Sequence, residues 1–118
     1  MPNVITETII SVRQVDANGD PVSAGGSVSS STGTHSNVGD ETSATTLLAA
    51  NANRDGATVY NDSTADLYLK LGSGASSTSF TVKLAQDDYY EVPFGYTGII
   101  TGLWASDASG NARVVEFT

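Results

Sequence analysis

The sequence contains no cysteine, one histidine and only five lysine or arginine residues in 118. Without cysteine it has neither a disulfide framework nor thiolate chemistry. Its 13 acidic residues give a formal charge of −8, which argues against a nucleic-acid surface, because such surfaces bind phosphate through Lys and Arg. The same negative charge argues against binding to an anionic lipid surface. No run of about 18 apolar residues, the length that spans a membrane, is present. We therefore expect neither a nucleic acid nor a membrane as partner.

The common catalytic arrangements are also missing from the sequence. The single histidine, His35, lies in a Ser/Gly/Thr run that offers nothing to hold its ring for a catalytic triad. The adjacent carboxylates Asp87-Asp88 suit a solvated turn better than glycoside cleavage. The alternating acids and amide of residues 16–20 match only half of a calcium-binding loop. We expect no enzyme activity, no metal and no cofactor.

The composition changes near residue 44. Between residues 23 and 43, fourteen of the twenty-one residues are Ser, Thr or Gly, and such a segment buries too little apolar surface to offset the entropy of ordering it. Before it, the β-branched stretch from Val4 to Val15 predicts a strand. We expect residues 1–43 to be an N-terminal strand plus a flexible arm. A lone strand is unstable in water, so it pairs with its own sheet or with another chain, and both alternatives stay open.

Residues 44–118 have the pattern of a β-sandwich domain. Short strand-like segments recur every 8–12 residues with turn signals between them. In residues 65–71 leucines alternate with other residues, which places Tyr68 on the face opposite the leucines. Polar residues 61–64 predict a turn after a strand over residues 56–61. The chain is thus expected to be all-β: an antiparallel β-sandwich or small barrel of about 6–8 strands, preceded by an extended N-terminal arm.

Four short segments stand out between Thr45 and Ser106. They are Tyr60-Asn61-Asp62-Ser63, Leu67-Tyr68-Leu69-Lys70-Leu71-Gly72, Tyr89-Tyr90-Glu91-Val92-Pro93 and Gly102-Leu103-Trp104-Ala105. In these segments the chain resembles a group of small β-rich virion proteins of tailed double-stranded DNA bacteriophages. The resemblance covers a little over half of the chain. It implies a structural part of a phage particle, made in the host cytoplasm, but it does not distinguish head decoration proteins from tail, baseplate or fibre parts.

The leading hypothesis is a capsid decoration (cement) protein. It would lie on the outer head surface, form a homo-oligomer, with a trimer favoured, and bridge subunits of the major capsid protein. Apolar side chains of the N-terminal arm would anchor it, and two tyrosines would add surface contacts. The residues expected to bind partners are Val4, Ile5, Ile9, Ile10, Val12, Tyr68 and Tyr96.

The alternative hypothesis is a tail, baseplate or fibre module that contacts a host glycan. Aromatic side chains on a sheet can stack on sugar rings. Under this hypothesis the sugar site would be lined by Tyr89, Tyr90 and Trp104.

Overall fold

A computed structural model of the protein describes residues 29–118. The expected N-terminal strand and its five partner-binding residues (Val4, Ile5, Ile9, Ile10 and Val12) lie outside the described residues. Within residues 29–118 the fold contains eight strands and no helix. The strands are β1 (Gly33–Gly39), β2 (Thr45–Leu48), β3 (Gly56–Ser63), β4 (Leu67–Leu71), β5 (Val82–Leu84), β6 (Tyr89–Val92), β7 (Ile100–Trp104) and β8 (Gly110–Phe117).

The strands form two four-stranded sheets. Sheet I has the order β1-β8-β3-β6, and sheet II has the order β2-β7-β4-β5. Every neighbouring pair is antiparallel. The predicted all-β antiparallel fold is therefore confirmed.

The core lies between the two sheets and follows the alternation of the strands. In β4, Leu67 and Leu69 are fully buried, whereas Tyr68 between them is only partly buried on the opposite face. Trp104 at the end of β7 is 1% exposed. Alternation works here because successive side chains of a strand point to opposite faces of its sheet. The buried hydrophobic cluster is Leu47, Ala57, Val59, Ala65, Leu67, Leu69, Leu84, Val92, Ile100, Trp104, Ala112 and Val114.

Strand β3 runs two residues further than the sequence predicted. The expected turn at residues 61–64 is wrong, because Asn61 and Ser63 point inward and find buried partners. Asn61 Nδ2 donates to the carbonyls of Ala65 (2.8 Å) and Leu84 (2.9 Å). Ser63 Oγ donates to Asn61 Oδ1 (2.6 Å) and accepts from Trp104 Nε1 (3.0 Å). Buried polar groups are tolerated when they are hydrogen-bonded in this way.

Strand β1 lies inside the segment that the sequence predicted to be a flexible arm. Residues 33–39 pair along their whole length with β8, so the prediction does not hold for them. The residues that follow are tied down as well: Asp40 Oδ2 accepts from the amide of Ala108 (3.1 Å), and the carbonyl of Glu41 accepts from the amide of Trp104 (2.9 Å). Residues 33–39 bury little apolar surface, and main-chain hydrogen bonds to β8 hold them in place instead.

No described residue belongs to a helix long and apolar enough to cross a membrane.

Candidate interaction surfaces

Two of the three large hydrophobic side chains that are exposed among residues 29–118, Tyr89 and Phe94, lie on the outer face of sheet I. The register places Phe117 of β8 opposite Gly56 of β3 and opposite Gly33 of β1. One row further along the sheet, Thr58 lies between Val115 and Glu91. Antiparallel neighbours that are directly opposite share a face. The outer face is thus apolar at the Phe117 end and becomes more polar toward the other end.

An open groove of about 310 Å³ lies at the apolar end of this face. We call it the aromatic groove. Its volume is at the lower end of the range for small-ligand sites. It is lined by residues of β3, of β6 and the turn after it, and of the end of β8: Gly56, Ala57, Thr58, Tyr89, Glu91, Val92, Pro93, Phe94 and Phe117.

Phe94 forms one wall of the aromatic groove and is 70% exposed, the highest value among the exposed large hydrophobic residues. Its ring lies over Gly56, where an added Cβ would come within 2.8 Å of the ring. Glycine at position 56 therefore lets the ring approach the sheet closely. The exposed part of the ring is available to a partner.

Tyr89 also lines the aromatic groove and is 55% exposed. Its hydroxyl donates to Glu91 Oε2 at 3.1 Å. Partial burial of the phenol, followed by this hydrogen bond, raises the pKa of Tyr89 above its ordinary value of 10.0. The hydroxyl is therefore protonated at neutral pH, and the groove has a polar, acidic rim beside its aromatic walls.

The acidic pair at residues 87 and 88 forms the turn that the sequence favoured. Asp88 Oδ2 accepts from the amide of Ala85 (2.9 Å) and closes the turn before β6. Asp87 has a φ of 69° and accepts from the Tyr60 hydroxyl at 2.7 Å. This hydrogen bond is the main cause that raises the pKa of Tyr60 above 10.0. Both carboxylates thus have structural partners, Asp88 within the turn and Asp87 on strand β3.

The second candidate surface is the edge of sheet I formed by β1. Gly33 to Asn37 and Gly39 are exposed, and no strand among residues 29–118 pairs with the outer side of β1. His35 lies on this edge strand, opposite Val115. It is exposed rather than held in a site.

The two tyrosines expected to contact partners lie on different parts of the sandwich. Tyr68 is on the outer face of sheet II, where its ring centroid is 4.9 Å from that of Phe80 and 5.9 Å from Lys83 Nζ. Tyr96 is in the turn between β6 and β7, and its hydroxyl donates to the carbonyl of Ile99 at 2.8 Å. Both rings are partly buried within the chain itself, and the structure does not bring them together.

The sugar site expected under the alternative hypothesis is not assembled from its three residues. Trp104 is buried in the core, so its assignment to an exposed sugar site is wrong. Tyr90 packs against the core from β6. Only Tyr89 is exposed, because neighbours along a strand point to opposite sides and Tyr90 takes the inward position.

Sequence reasoning missed the aromatic groove because its walls come from residues distant in the chain. Phe94 was absent from both predicted contact sets. Its position between Pro93 and Gly95 was the available signal, since Pro and Gly place a residue in an exposed turn. Phe117 joins the groove only through the register of β3 with β8.

Within residues 29–118, no three His, Cys, Asp or Glu side chains gather closely enough to hold a metal ion. The half-motif for calcium at residues 16–20 lies outside that range.

Comparisons of the chain with protein-family models, with curated proteins and with solved structures find no match.

Proposed function

We propose that this chain is a structural protein of a bacteriophage virion, most specifically a decoration protein that binds the outer surface of the head and bridges major capsid subunits. The observation that carries this proposal is the exposed aromatic groove on sheet I. Phe94 and Tyr89 are 70% and 55% exposed, and aromatic residues that are open in the free protein are typical anchors of protein interfaces. The chain carries out no reaction and needs no cofactor in this role.

A rigid β-sandwich suits binding across a seam between subunits. A protein that binds only the assembled shell stabilises that shell against disassembly by mass action. The charge of −8 keeps free copies apart and soluble before assembly. It also favours the outside of the head over a place against packaged DNA.

The proposed contacts combine predicted residues with those of the aromatic groove. The arm residues Val4, Ile5, Ile9, Ile10 and Val12 remain the proposed anchors on the capsid. The Tyr96 hydroxyl is engaged with Ile99, so Phe94 and Tyr89 supply the larger exposed area. Tyr68 presents only the part of its ring that Phe80 leaves free.

The first test is the position and copy number of the protein on purified virions. We expect a stoichiometry equal to, or a simple fraction of, that of the major capsid protein, with the protein on the outer head surface in cryo-electron micrographs. Virions that lack it should release DNA at a lower temperature but adsorb to cells normally. A copy number limited to the rotational symmetry of a tail, with lost adsorption, contradicts the proposal.

The second test is a pair of matched substitutions. Phe94→Ser removes the most exposed side chain of the groove, whereas Phe80→Ser removes an exposed phenylalanine in the loop before β5 of the other sheet. Because central aromatic residues often contribute about 2 kcal/mol or more to binding, we expect Phe94→Ser to weaken rebinding to depleted particles by about thirtyfold or more. Phe80→Ser should change it little. Equal effects would mean that rebinding does not depend on the aromatic groove more than on the surface around Tyr68 and Phe80.

A glycan-binding tail module is the second candidate, favoured by the acidic rim of the groove. Tyr89 and Phe94 form aromatic walls, and Glu91 adds a carboxylate that can accept hydrogen bonds from sugar hydroxyls. Retention of the free protein on host glycans, lost in Phe94→Ser and kept in Phe80→Ser, would support this candidate over the decoration protein.

A further inference from the structure

The two sheets leave four strand edges open within residues 29–118, and three of these edges are protected against pairing. Strand β6 is followed by Pro93. This residue occupies the next position whose main chain points away from β3, and it has no N–H to offer there. Strand β5 has three residues, one of them Lys83. Strand β2 has an irregular register between Thr46 and Leu48. Short strands, Pro, Lys and bulges are the usual devices that prevent edge-to-edge association.

Strand β1 has none of these devices. It spans seven residues, Gly33–Gly39, with no Pro, Lys, Arg, Asp or Glu. Its pairing with β8 has no register shift, so the edge is regular. A long, regular, uncharged edge is a template for another strand.

The hydrogen-bonding groups that β1 presents outward follow from its pairing with β8. The amide of Thr118 donates to the carbonyl of Thr32 at 2.9 Å. Antiparallel ladders alternate between bonded and non-bonded pairs, so residues 34, 36 and 38 also bond to β8. The N–H and C=O groups of residues 33, 35, 37 and 39 therefore point toward the open edge.

We propose that this edge pairs with β1 of a second copy of the chain, giving a two-fold dimer with one continuous eight-stranded sheet. An antiparallel partner must offer an open edge of matching length, and within residues 29–118 only β1 does so. With the two-fold axis at Ser36, the main-chain N–H and C=O of His35 pair with those of Asn37 of the second copy. Gly33 pairs with Gly39 of the second copy in the same way. Every outward N–H and C=O then has a partner.

The side chains across this seam are compatible with close approach. Ser36 faces Ser36 of the second copy, and Thr34 faces Val38. No like charges are opposed along the seam, although each copy carries a charge of −8. The inference does not depend on the proposed virion function, because the free protein should form the dimer. The proposed two-fold dimer differs from the trimer that the sequence favoured, and the mass of the free protein distinguishes the two.

The absence of cysteine from the chain allows a direct test with Ser36→Cys in the full-length protein. In the proposed register this residue lies at a non-hydrogen-bonded pair, where opposite Cα atoms are about 4.5 Å apart and a disulfide fits. We expect rapid crosslinking in a glutathione redox buffer, read as a dimer on non-reducing gels. Sedimentation of the unmodified protein should give twice the chain mass of 12.1 kDa.

The matched control is Thr34→Cys, which is also exposed and lies on the same strand and the same face. Its distance to the same residue of the second copy is about 14 Å, four residues along the strand, which is too far for a disulfide. We expect Ser36→Cys to crosslink about tenfold faster.

A further variant removes the edge without touching the β8 pairing. His35→Pro deletes an N–H that points to the open edge and none that bonds to β8, so we expect a monomer with an unchanged far-UV circular dichroism spectrum. A monomeric unmodified protein, or equal crosslinking rates for the two cysteine variants, would overturn the proposal. Occupation of the edge by residues 4–12 of the same chain would give that monomeric result.

Discussion

Replacing Arg54 by Met is expected to lower the free energy of unfolding by about 3–5 kcal/mol. The Arg54 side chain is fully buried, and its Nε donates to Glu116 Oε2 at 2.8 Å. Its Nη1 donates to the carbonyls of Tyr96 (3.1 Å) and Gly98 (2.8 Å), and its Nη2 donates to that of Ala49. Methionine fills similar volume but leaves these acceptors, including a carboxylate, without their donor.

The matched control for this prediction is Arg113→Met. Arg113 also pairs with a carboxylate, Asp62, at 2.6 Å, but the two side chains are 51% and 41% exposed. Exposed pairs contribute about 0–1 kcal/mol. In thermal unfolding followed by circular dichroism, we expect Arg54→Met to lower the Tm by about 15 °C and Arg113→Met to change it by only a few degrees. Similar shifts for both variants would show that burial of Arg54 adds nothing.

Arg54 also links the two candidate surfaces. Ala49 lies just after β2, and Tyr96 and Gly98 lie in the segment after Phe94. Glu116 lies in β8, the strand that pairs with β1. Loss of the guanidinium should therefore loosen the turn that positions Phe94 as well as lower global stability.

Replacing Gly110 by Ala is expected to cost about 4 kcal/mol of stability. Gly110 begins β8 with a φ of +128°, and an added Cβ would overlap the carbonyl oxygen of Asp62 and lie 2.8 Å from Ser63 Cα. These contacts are backbone atoms of β3, so no side chain can rotate away. The chain must shift at the start of the β3–β8 pairing, which is the centre of sheet I.

Gly74→Ala provides the comparison for Gly110→Ala. Gly74 also has a positive φ, +73°, but an added Cβ would meet no atom within 4 Å. Its cost is limited to the left-handed conformation, about 1–2 kcal/mol. Urea unfolding monitored by Trp104 fluorescence should separate the two variants clearly. A Gly110→Ala protein no less stable than Gly74→Ala would mean that the strands adjust without cost.

Alternation and turn signals predicted most of the strands of this protein. Leu67 and Leu69 alternate with Tyr68, and burial follows that alternation closely. The acidic turn at residues 87 and 88 was predicted because two adjacent carboxylates suit a solvated turn. Both features depend on residues near one another in the chain, where spacing and side-chain type are informative.

Strand β1, the inward Asn61 and the buried Arg54 were not predicted, and each depends on distant partners. A Ser/Gly/Thr segment gives no sign that β8 will pair with it, and a polar Asn normally indicates a turn. The aromatic groove has the same origin, since Phe94 and Phe117 meet only in the folded sheet.

The amino-acid sequence by itself determined an all-β, acidic, cysteine-free chain, because composition and two-residue periodicity act locally. Only the tertiary structure decided which polar residues are buried, which strand edge is left open and where exposed aromatic side chains gather. Those outcomes depend on pairing between segments far apart in the chain, and such pairing satisfies main-chain and polar groups that no local pattern specifies.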